Sequence, residues 1–138
     1  MRESFELEII TPYKVALKKE VTYVRVPGTE GNIGIYPNHS PLLTCLDSGA
    51  VIYEHVIEEE KMEPLFVTGG FIEILPDKVT VLADIVEWKS AIDLERAKKA
   101  KQRAEERLQA KEEGLDLLRA EAALKRAIYR IMVKEGTF

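Results

Sequence analysis

The hydrophobic pattern of the chain changes period once, near residue 88 of 138. Before that position apolar and polar residues alternate, as at Phe5, Leu7 and Ile9, which is the period of a half-buried β-strand. From Ser90 onward there is no proline, and apolar residues recur at intervals of three and four, which is the pattern of α-helices. The change predicts two domains, which we place at residues 1–88 and 89–138.

The charge of the chain changes sign at the same position. Residues 1–88 contain seven Lys/Arg and 15 Asp/Glu, a net charge of −8, and residues 89–138 contain 13 and nine, a net charge of +4. A change of sign at one point marks a boundary between domains. The total of −4 argues against general nucleic-acid binding. No apolar stretch approaches the ~20 residues of a transmembrane helix, and the early acidic residues argue against a secretory peptide.

The first domain has the turn signals of an all-β sandwich or barrel. These signals recur at roughly the 8–12 residue spacing of such folds. They are Thr11-Pro12, Pro27-Gly28, Asp47-Ser48-Gly49, Gly69-Gly70 and Pro76-Asp77. The clearest β-hairpin joins residues 71–75 to 78–82. Cys45 lies in the apolar run 42–46 and is predicted to be a core residue, and as the single cysteine it excludes an internal disulfide.

The second domain predicts two α-helices. Ser90, three residues before Asp93, resembles an N-cap with an acidic residue in the first turn. The first helix is predicted to run to about Lys111, and the second to span about 116–134 after a break at Glu113-Gly114. Two helices joined by so short a break must lie antiparallel.

Both helices carry an arginine stripe beside small residues. The second helix has a stripe predicted to be buried, formed by Leu117, Ala120, Leu124, Ala127 and Ile131. Almost opposite lie Arg119, Arg126 and Arg130, and the first helix presents Arg96, Arg103 and Arg107. Two interpretations stay open at this point. The arginines are either solvated, with local pairs such as Glu95–Lys99 and Glu121–Lys125, or they form a site for an anion, a polyphosphate or an acidic partner.

The chain shows no catalytic constellation. His39 and His55 have no partners at metal-ligand spacing, and no serine lies in a nucleophile elbow. We therefore predict a binding or regulatory protein and not an enzyme, with no metal and no obligatory cofactor. His39 lies between two prolines, where it either makes a hydrogen bond that orders the loop or forms a surface contact.

Three segments carry a family resemblance. Residues 31–43, which read GNIGIYPNHSPLL, are similar to the signature of the epsilon subunit of the F-type ATP synthase, and the segments 69–73 and 77–83 follow in the order and spacing of that family. The Ala/Arg-rich helical hairpin closes the chain. The resemblance implies a mainly β plus α fold, in which a flattened, ten-stranded N-terminal β-sandwich precedes a C-terminal antiparallel α-helical hairpin.

The resemblance also implies a function. A member of this family is a rotor subunit of the central stalk on the cytoplasmic face of the bacterial inner membrane, and it meets the membrane only indirectly. Its sandwich binds the gamma subunit and rests on the ring of c subunits, so that proton or sodium flow is coupled to ATP synthesis. Glu30, Asn32 and His39 correspond to the ring-facing loops. The alternatives are a free-standing ATP-binding sensor and a small enzyme, which the missing constellation disfavours.

The helical hairpin of this family is mobile. It folds against the sandwich, or it extends toward the catalytic beta and alpha subunits and inhibits ATP hydrolysis. Residues 92–97 match the motif Ile-Asp-x-x-Arg-Ala, through which some bacterial members bind ATP. The resemblance thus implies ATP as a regulatory ligand, with Glu87, Ile92 and Asp93 at the adenine-ribose end and Arg96, Arg103, Arg126 and Arg130 around the phosphates.

Overall fold

A β-sandwich is followed by two helices in the computed structural model, which describes residues 3–57, 62–110, 114 and 116–138. The predicted fold class is confirmed. The strands are β1 (Phe5–Ile10), β2 (Val15–Gly28), β3 (Gly31–Ile35), β4 (Leu42–Cys45), β5 (Gly49–His55), β6 (Leu65–Ile74) and β7 (Lys78–Trp88). A 3-10 turn, Lys89–Ala91, leads to α1 (Leu94–Ala110) and α2 (Leu117–Glu135).

Three long strands contribute to both layers of the sandwich. The first half of β2 pairs with β1, and its second half pairs with β3 and β5. β6 changes layer at Gly69 and Gly70, which both have positive φ, and a Cβ at Gly70 would collide with the Leu82 carbonyl. Each layer therefore contains five strand segments. Seven continuous strands are present in the described residues, and the ten strands implied by the resemblance are reached when β2, β6 and β7 are counted in both layers.

The first layer consists of β4, the end of β6, the start of β7, β1 and the start of β2. The second layer consists of the end of β7, the start of β6, β5, the end of β2, and β3 at its edge. The predicted β-hairpin is confirmed, since Ile74 pairs with Val79 across the turn. Between the layers lies a core of fully buried aliphatic residues, such as Leu7, Val24 and Ile72.

Cys45 is exposed, so its prediction as a core residue was wrong. The strand β4 lies outside the main path of the sheet and pairs with β6 alone. Cys45 is opposite Phe71, an exposed residue on the outer face of the first layer. An apolar run on such a strand therefore covers a surface, and burial begins only at Leu46.

The two helices meet along a seam of alanines. Ala97 and Ala104 of α1 and Ala120 and Ala127 of α2 are buried. The predicted stripe on α2 is correct at its alanines and wrong at Leu117, whose residue is 54% exposed. The reason is position, because Leu117 is the first residue of the helix. Within the described ranges, neither helix has the length and hydropathy needed to cross a membrane.

The start of α1 differs from the prediction. The predicted cap Ser90 lies in the 3-10 turn, where its N–H donates to Glu63 Oε1 at 2.7 Å. Asp93 directly precedes the helix and accepts the Arg96 N–H at 3.1 Å, which satisfies one of the free donors of the first turn. Asp116 caps α2 in the same way, through the Arg119 N–H. Gly114 has positive φ, whereas Lys111 and Glu113 lie outside the described residues.

Candidate functional site

A polar cleft of about 310 Å³ lies where α1, α2 and the end of β7 meet. Its walls come from three elements that are adjacent only because the hairpin is docked on the second layer. The lining residues are Glu87, Ala91, Ile92, Asp93, Arg96, Ala97, Ala100, Arg103 and Arg130. Three guanidinium groups and two carboxyl groups thus surround one cleft, and the excess of positive charge suits an anionic ligand.

Six of the seven residues predicted to bind a nucleotide line this cleft. They are Glu87, Ile92, Asp93, Arg96, Arg103 and Arg130. The seventh, Arg126, is not among the lining residues and lies one helical turn before Arg130 on α2. The structure therefore brings together both ends of the predicted set from residues that are up to 43 positions apart in the sequence.

Arg130 makes the contacts that connect α2 to the sandwich at this cleft. Its Nε donates to Glu87 Oε1 at 2.7 Å, and its guanidinium carbon lies 4.7 Å from the centre of the Phe66 ring. Phe66 and Glu87 are paired neighbours on β6 and β7, so the arginine covers two adjacent strands. Glu87 therefore contacts an arginine that was predicted for the phosphate end of the ligand.

Ile92 and Asp93 each have a structural contact as well. Ile92 is buried in a small apolar cluster with Ala50, Phe66 and Val133, against which Tyr129 and Phe138 pack. We call this set the docking cluster. Asp93 caps α1, so its carboxyl group has a fixed position at the mouth of the cleft. A ligand in the cleft would thus contact residues that already define the start of α1.

A second groove, of about 580 Å³, runs along the outer side of α1. It shares Asp93, Arg96 and Arg103 with the cleft and is otherwise lined by α1 residues such as Lys99 and Glu106. It is larger but is formed by one helix, so a ligand there would be enclosed on one side. We therefore assign the candidate site to the smaller cleft, which three elements enclose.

The three predicted ring-facing residues are spread along the edge strand β3. Glu30 lies in the turn before this strand, Asn32 lies on it, and His39 follows it. His39 Nδ1 is 2.7 Å from the Ser40 carbonyl oxygen, to which it can donate, as the first of its two interpretations predicts. The structure therefore offers an exposed edge at these positions and not a single loop cluster.

One contact was missed by the sequence reasoning. Lys125 Nζ donates to Asp47 Oδ2 at 2.6 Å, so Lys125 contacts the sandwich, whereas the local-pair interpretation assigned it to Glu121. Partial burial raises the pKa of Asp47, but the hydrogen bonds from Lys125 and from the Ser48 N–H outweigh it and lower that pKa below its usual value. No sequence signal could have found a pair whose members are 78 positions apart.

Glu63 is a further carboxyl group that the fold engages. Hydrogen bonds from Ser90, first from its side chain and then from its backbone N–H, lower the pKa of Glu63 below its usual value. Among the described residues, no group of three or more His, Cys, Asp or Glu could hold a metal ion. The cleft is therefore the feature of this region that we carry forward.

Two family models match the chain almost end to end. The model of the ATP synthase delta/epsilon chain β-sandwich domain matches residues 4–89, and the model of the long α-helix domain of the same chain matches residues 90–135. In solved structures, a chain of the Euglena gracilis mitochondrial ATP synthase is similar over 91% of this chain and 78% of its own, with a TM-score of 0.80 at 21% identity. A chain from the Tetrahymena thermophila mitochondrial ATP synthase central stalk and c-ring reaches a TM-score of 0.63 at 16% identity, over 99% and 98% of the two chains.

Curated relatives match with higher identity. The ATP synthase epsilon chain of Desulforapulum autotrophicum is 45% identical over 98% of both chains. That of Nitratidesulfovibrio vulgaris is 46% identical over 97% of this chain and 98% of its own. That of Moorella thermoacetica is 46% identical over 93% and 94%. With these relatives at such identity over nearly the full length, the chain belongs to the ATP synthase epsilon chain family.

Proposed function

We propose that this chain is a rotor subunit in the central stalk of a bacterial F-type ATP synthase. In this role it couples proton or sodium flow to ATP synthesis, does no chemistry itself and lies at the cytoplasmic face of the inner membrane as a peripheral subunit. Support comes from the epsilon chains that it resembles over nearly its whole length. The geometry supports two further parts of the proposal, a stalk-binding sandwich and a regulatory hairpin.

The outer face of the first layer has the properties of a partner surface. An exposed apolar row crosses all five strand segments of this layer, because its members are consecutive partners in the sheet. It consists of Cys45, Phe71, Leu82, Ile10 and Val15. Phe71 is 51% and Val15 is 55% exposed. Contiguous exposed apolar surface of this kind is typical of protein interfaces, and we assign the row to the gamma subunit.

The edge strand β3 is assigned to the ring of c subunits. Glu30, Asn32 and His39 lie along or just beyond this strand, and Tyr36 beside them is exposed. An unpaired strand edge offers backbone donors and acceptors in addition to these side chains. The proposed contact is therefore an edge of the second layer, and it leaves the apolar row of the first layer for gamma.

The observation that carries the regulatory proposal is the small contact between hairpin and sandwich. The docking cluster has four buried members, and the ion pairs of Arg130 and Lys125 are partly exposed. Exposed ion pairs contribute little, about 0–1 kcal/mol each. A hairpin that is docked so weakly can leave the sandwich, reach the beta and alpha subunits and inhibit ATP hydrolysis there.

ATP is the proposed ligand of the cleft. Its triphosphate suits Arg96, Arg103 and Arg130, since guanidinium groups match phosphate oxygens in charge and geometry. Glu87, Ile92 and Asp93 remain for the adenine-ribose end. A ligand that contacts the docked form alone shifts the equilibrium toward that form. ATP therefore favours the docked hairpin, and inhibition increases when ATP is scarce.

Removal of the hairpin tests the regulatory part. We propose that residues 1–88 fold alone, and a chain ending at Trp88 should still assemble and support synthesis. It should raise ATP hydrolysis by the assembled enzyme, because the inhibitory arm is missing. Unchanged hydrolysis at both low and high ATP would remove the inhibitory role. A shortened chain that fails to fold or to assemble would contradict the two-domain proposal.

Two further measurements separate the alternatives. Calorimetric titration of the full chain should show heat from ATP, and no heat at millimolar ATP would remove the nucleotide site. Co-purification with a membrane ATPase distinguishes a stalk subunit from a free-standing ATP-binding sensor, since a sensor would remain unbound. Together they test partner and ligand independently.

A further inference from the structure

A second contact connects α2 to the sandwich outside the cleft. Lys125 Nζ and Asp47 Oδ2 are 2.6 Å apart, and the two side chains keep 44% and 30% of their exposure. Neither residue lines the cleft. This contact therefore lies beyond the proposed reach of a nucleotide, and its role needs a separate explanation.

Asp47 is positioned by the sandwich itself. Its N–H donates to the Pro27 carbonyl at 2.8 Å, and its Oδ1 accepts the Ser48 N–H at 2.8 Å. The preceding residue, Leu46, is buried, and its N–H donates to the Gly70 carbonyl. The carboxylate consequently keeps its place when the hairpin leaves, so little ordering is needed when the lysine returns.

The helix α2 approaches the sandwich closely at this point. A Cβ on Gly49 would lie 2.6 Å from the Pro27 Cβ and 3.9 Å from Tyr129 Cε1, one turn along the helix from Lys125. A small cleft of about 240 Å³ lies here, lined by residues of the β2–β3 turn, the segment before β5, and α2. Asp47 and Lys125 are the charged members of that lining within the described residues. No neighbouring charge in the lining competes for either partner.

Lys125 and Arg130 contact the sandwich from different sides of α2. Five residues separate them, which corresponds to about 7.5 Å along the axis and about 140° around it. Arg130 contacts β6 and β7, whereas Lys125 contacts the segment before β5. Two points on different sides and at different heights define the orientation of a helix, which one point cannot do.

We propose that Asp47 and Lys125 form a docking latch, an ion pair that keeps the hairpin against the sandwich without nucleotide. The proposal rests on the proposed function in one respect, namely that the hairpin leaves the sandwich. The latch sets the resting balance between docked and undocked hairpin, and the ligand of the cleft shifts that balance through Arg130. The opposite net charges of the two domains, −8 and +4, favour such a contact.

The experiment measures the docked fraction of the full chain by spin-label distances. Labels are placed at Asp77→Cys in the exposed β6–β7 turn and at Leu118→Cys, an exposed site on α2, with Cys45→Ser in the background. The variants are Asp47→Asn, Lys125→Met, both together, and the exchange Asp47→Lys with Lys125→Asp. The matched controls are Glu73→Gln on the outer face of the first layer and Lys101→Met, whose ion pair with Glu105 lies within α1.

Each single latch variant should lower the ratio of docked to undocked hairpin by roughly two- to fivefold, as expected for a partly exposed ion pair. The double variant should lower it no further, and the exchange should restore it. The controls should match the wild type. Ratios equal to the controls, or single effects that add in the double variant, would overturn the latch.

A failure of the proposed function gives a different result. A wild-type chain that shows one distance with and without ATP would contradict hairpin mobility itself. The latch is then read from urea unfolding of the same four variants, where the single variants must again be non-additive. Additive effects on the unfolding midpoint would overturn the latch in that case too.

Discussion

The sandwich and the hairpin are stabilised by side chains of very different size. The interior of the sandwich contains fully buried leucine, isoleucine and valine from both layers. The seam between α1 and α2 contains alanines, and the hairpin contributes two larger apolar residues, Ile92 and Val133, to the buried part of the docking cluster. Burial contributes about 25 cal/mol per Å² of apolar surface, so the sandwich gains far more from its interior than the hairpin does.

This difference separates a fixed domain from a movable one. Alanines allow two helices to lie close together, but each removes little apolar surface from water. The position of the hairpin depends in addition on Arg130, Lys125 and any ligand of the cleft. The predictions below test whether stability and regulation are divided between the domains in this way.

The largest effect is expected from the interior of the sandwich. Ile72→Ala should lower the free energy of unfolding by about 2–5 kcal/mol, because Ile72 is fully buried and a cavity would remain. Urea unfolding measures the loss. Leu82→Ala on the neighbouring strand is the control, since Leu82 is 44% exposed and its truncation should cost far less. Equal losses would show that the outer face contributes as much as the interior.

A smaller and local effect is expected in the seam of the hairpin. Ala127 is buried between the helices and next to the sandwich, so Ala127→Leu should overpack this position and cost about 1–3 kcal/mol. Hydrogen exchange should become faster in α1 and α2 and stay unchanged in the strands. Ala122→Leu, at an exposed position of α2, is the matched control. Faster exchange throughout the sandwich would contradict the division between the domains.

The cleft predicts an order among arginine variants. Arg103→Ala should weaken ATP binding roughly tenfold or more, since one charge-assisted contact contributes about 1.5–3 kcal/mol. Arg126→Ala should weaken it less, because Arg126 lies outside the lining. Calorimetry on both variants, with the exposed Arg119→Ala as control, measures this order. Equal losses for Arg103 and Arg126 would show that the site extends along α2 beyond the cleft.

The smallest effect is a pH dependence of the contacts between strands and helices. Asp47 and Glu63 have lowered pKa values in the folded chain. Their contribution to stability is present above the unfolded pKa and is lost as pH falls through the folded one, here from about pH 5 to about pH 3. Thermal melting at several pH values should show a shallower acid slope for Asp47→Asn and Glu63→Gln. Slopes equal to the wild type would show that neither pair matters.

Local pattern predicted the classes of secondary structure because periodicity depends on neighbouring residues. The alternation at Phe5, Leu7 and Ile9 predicted a strand with one buried side, and all three are buried. The turn at Pro76-Asp77 likewise predicted the β6–β7 hairpin. The pattern failed at Cys45 and Ser90, where the outcome depends on which strand lies opposite and which of two polar residues is adjacent to the helix.

The candidate site divides in the same way. A short motif and an arginine stripe selected Asp93, Arg96, Arg103 and Arg130 from the sequence, because residues on one helix face follow from helical spacing. The same reasoning selected Arg126, which does not line the cleft. No pattern within one element could show that Glu87 contacts Arg130 or that Phe66 lies under its guanidinium.

The sequence by itself determined the two domains' classes, the family, and the arginines that face one side of the hairpin. These depend on local periodicity, turn chemistry and residue identity, which are present in the linear chain. Only the tertiary structure decided that β2, β6 and β7 serve both layers, that Cys45 is exposed, and that Asp47 meets Lys125. Such contacts join residues dozens of positions apart, and their formation depends on the packing of α2 on the second layer, which no single segment encodes.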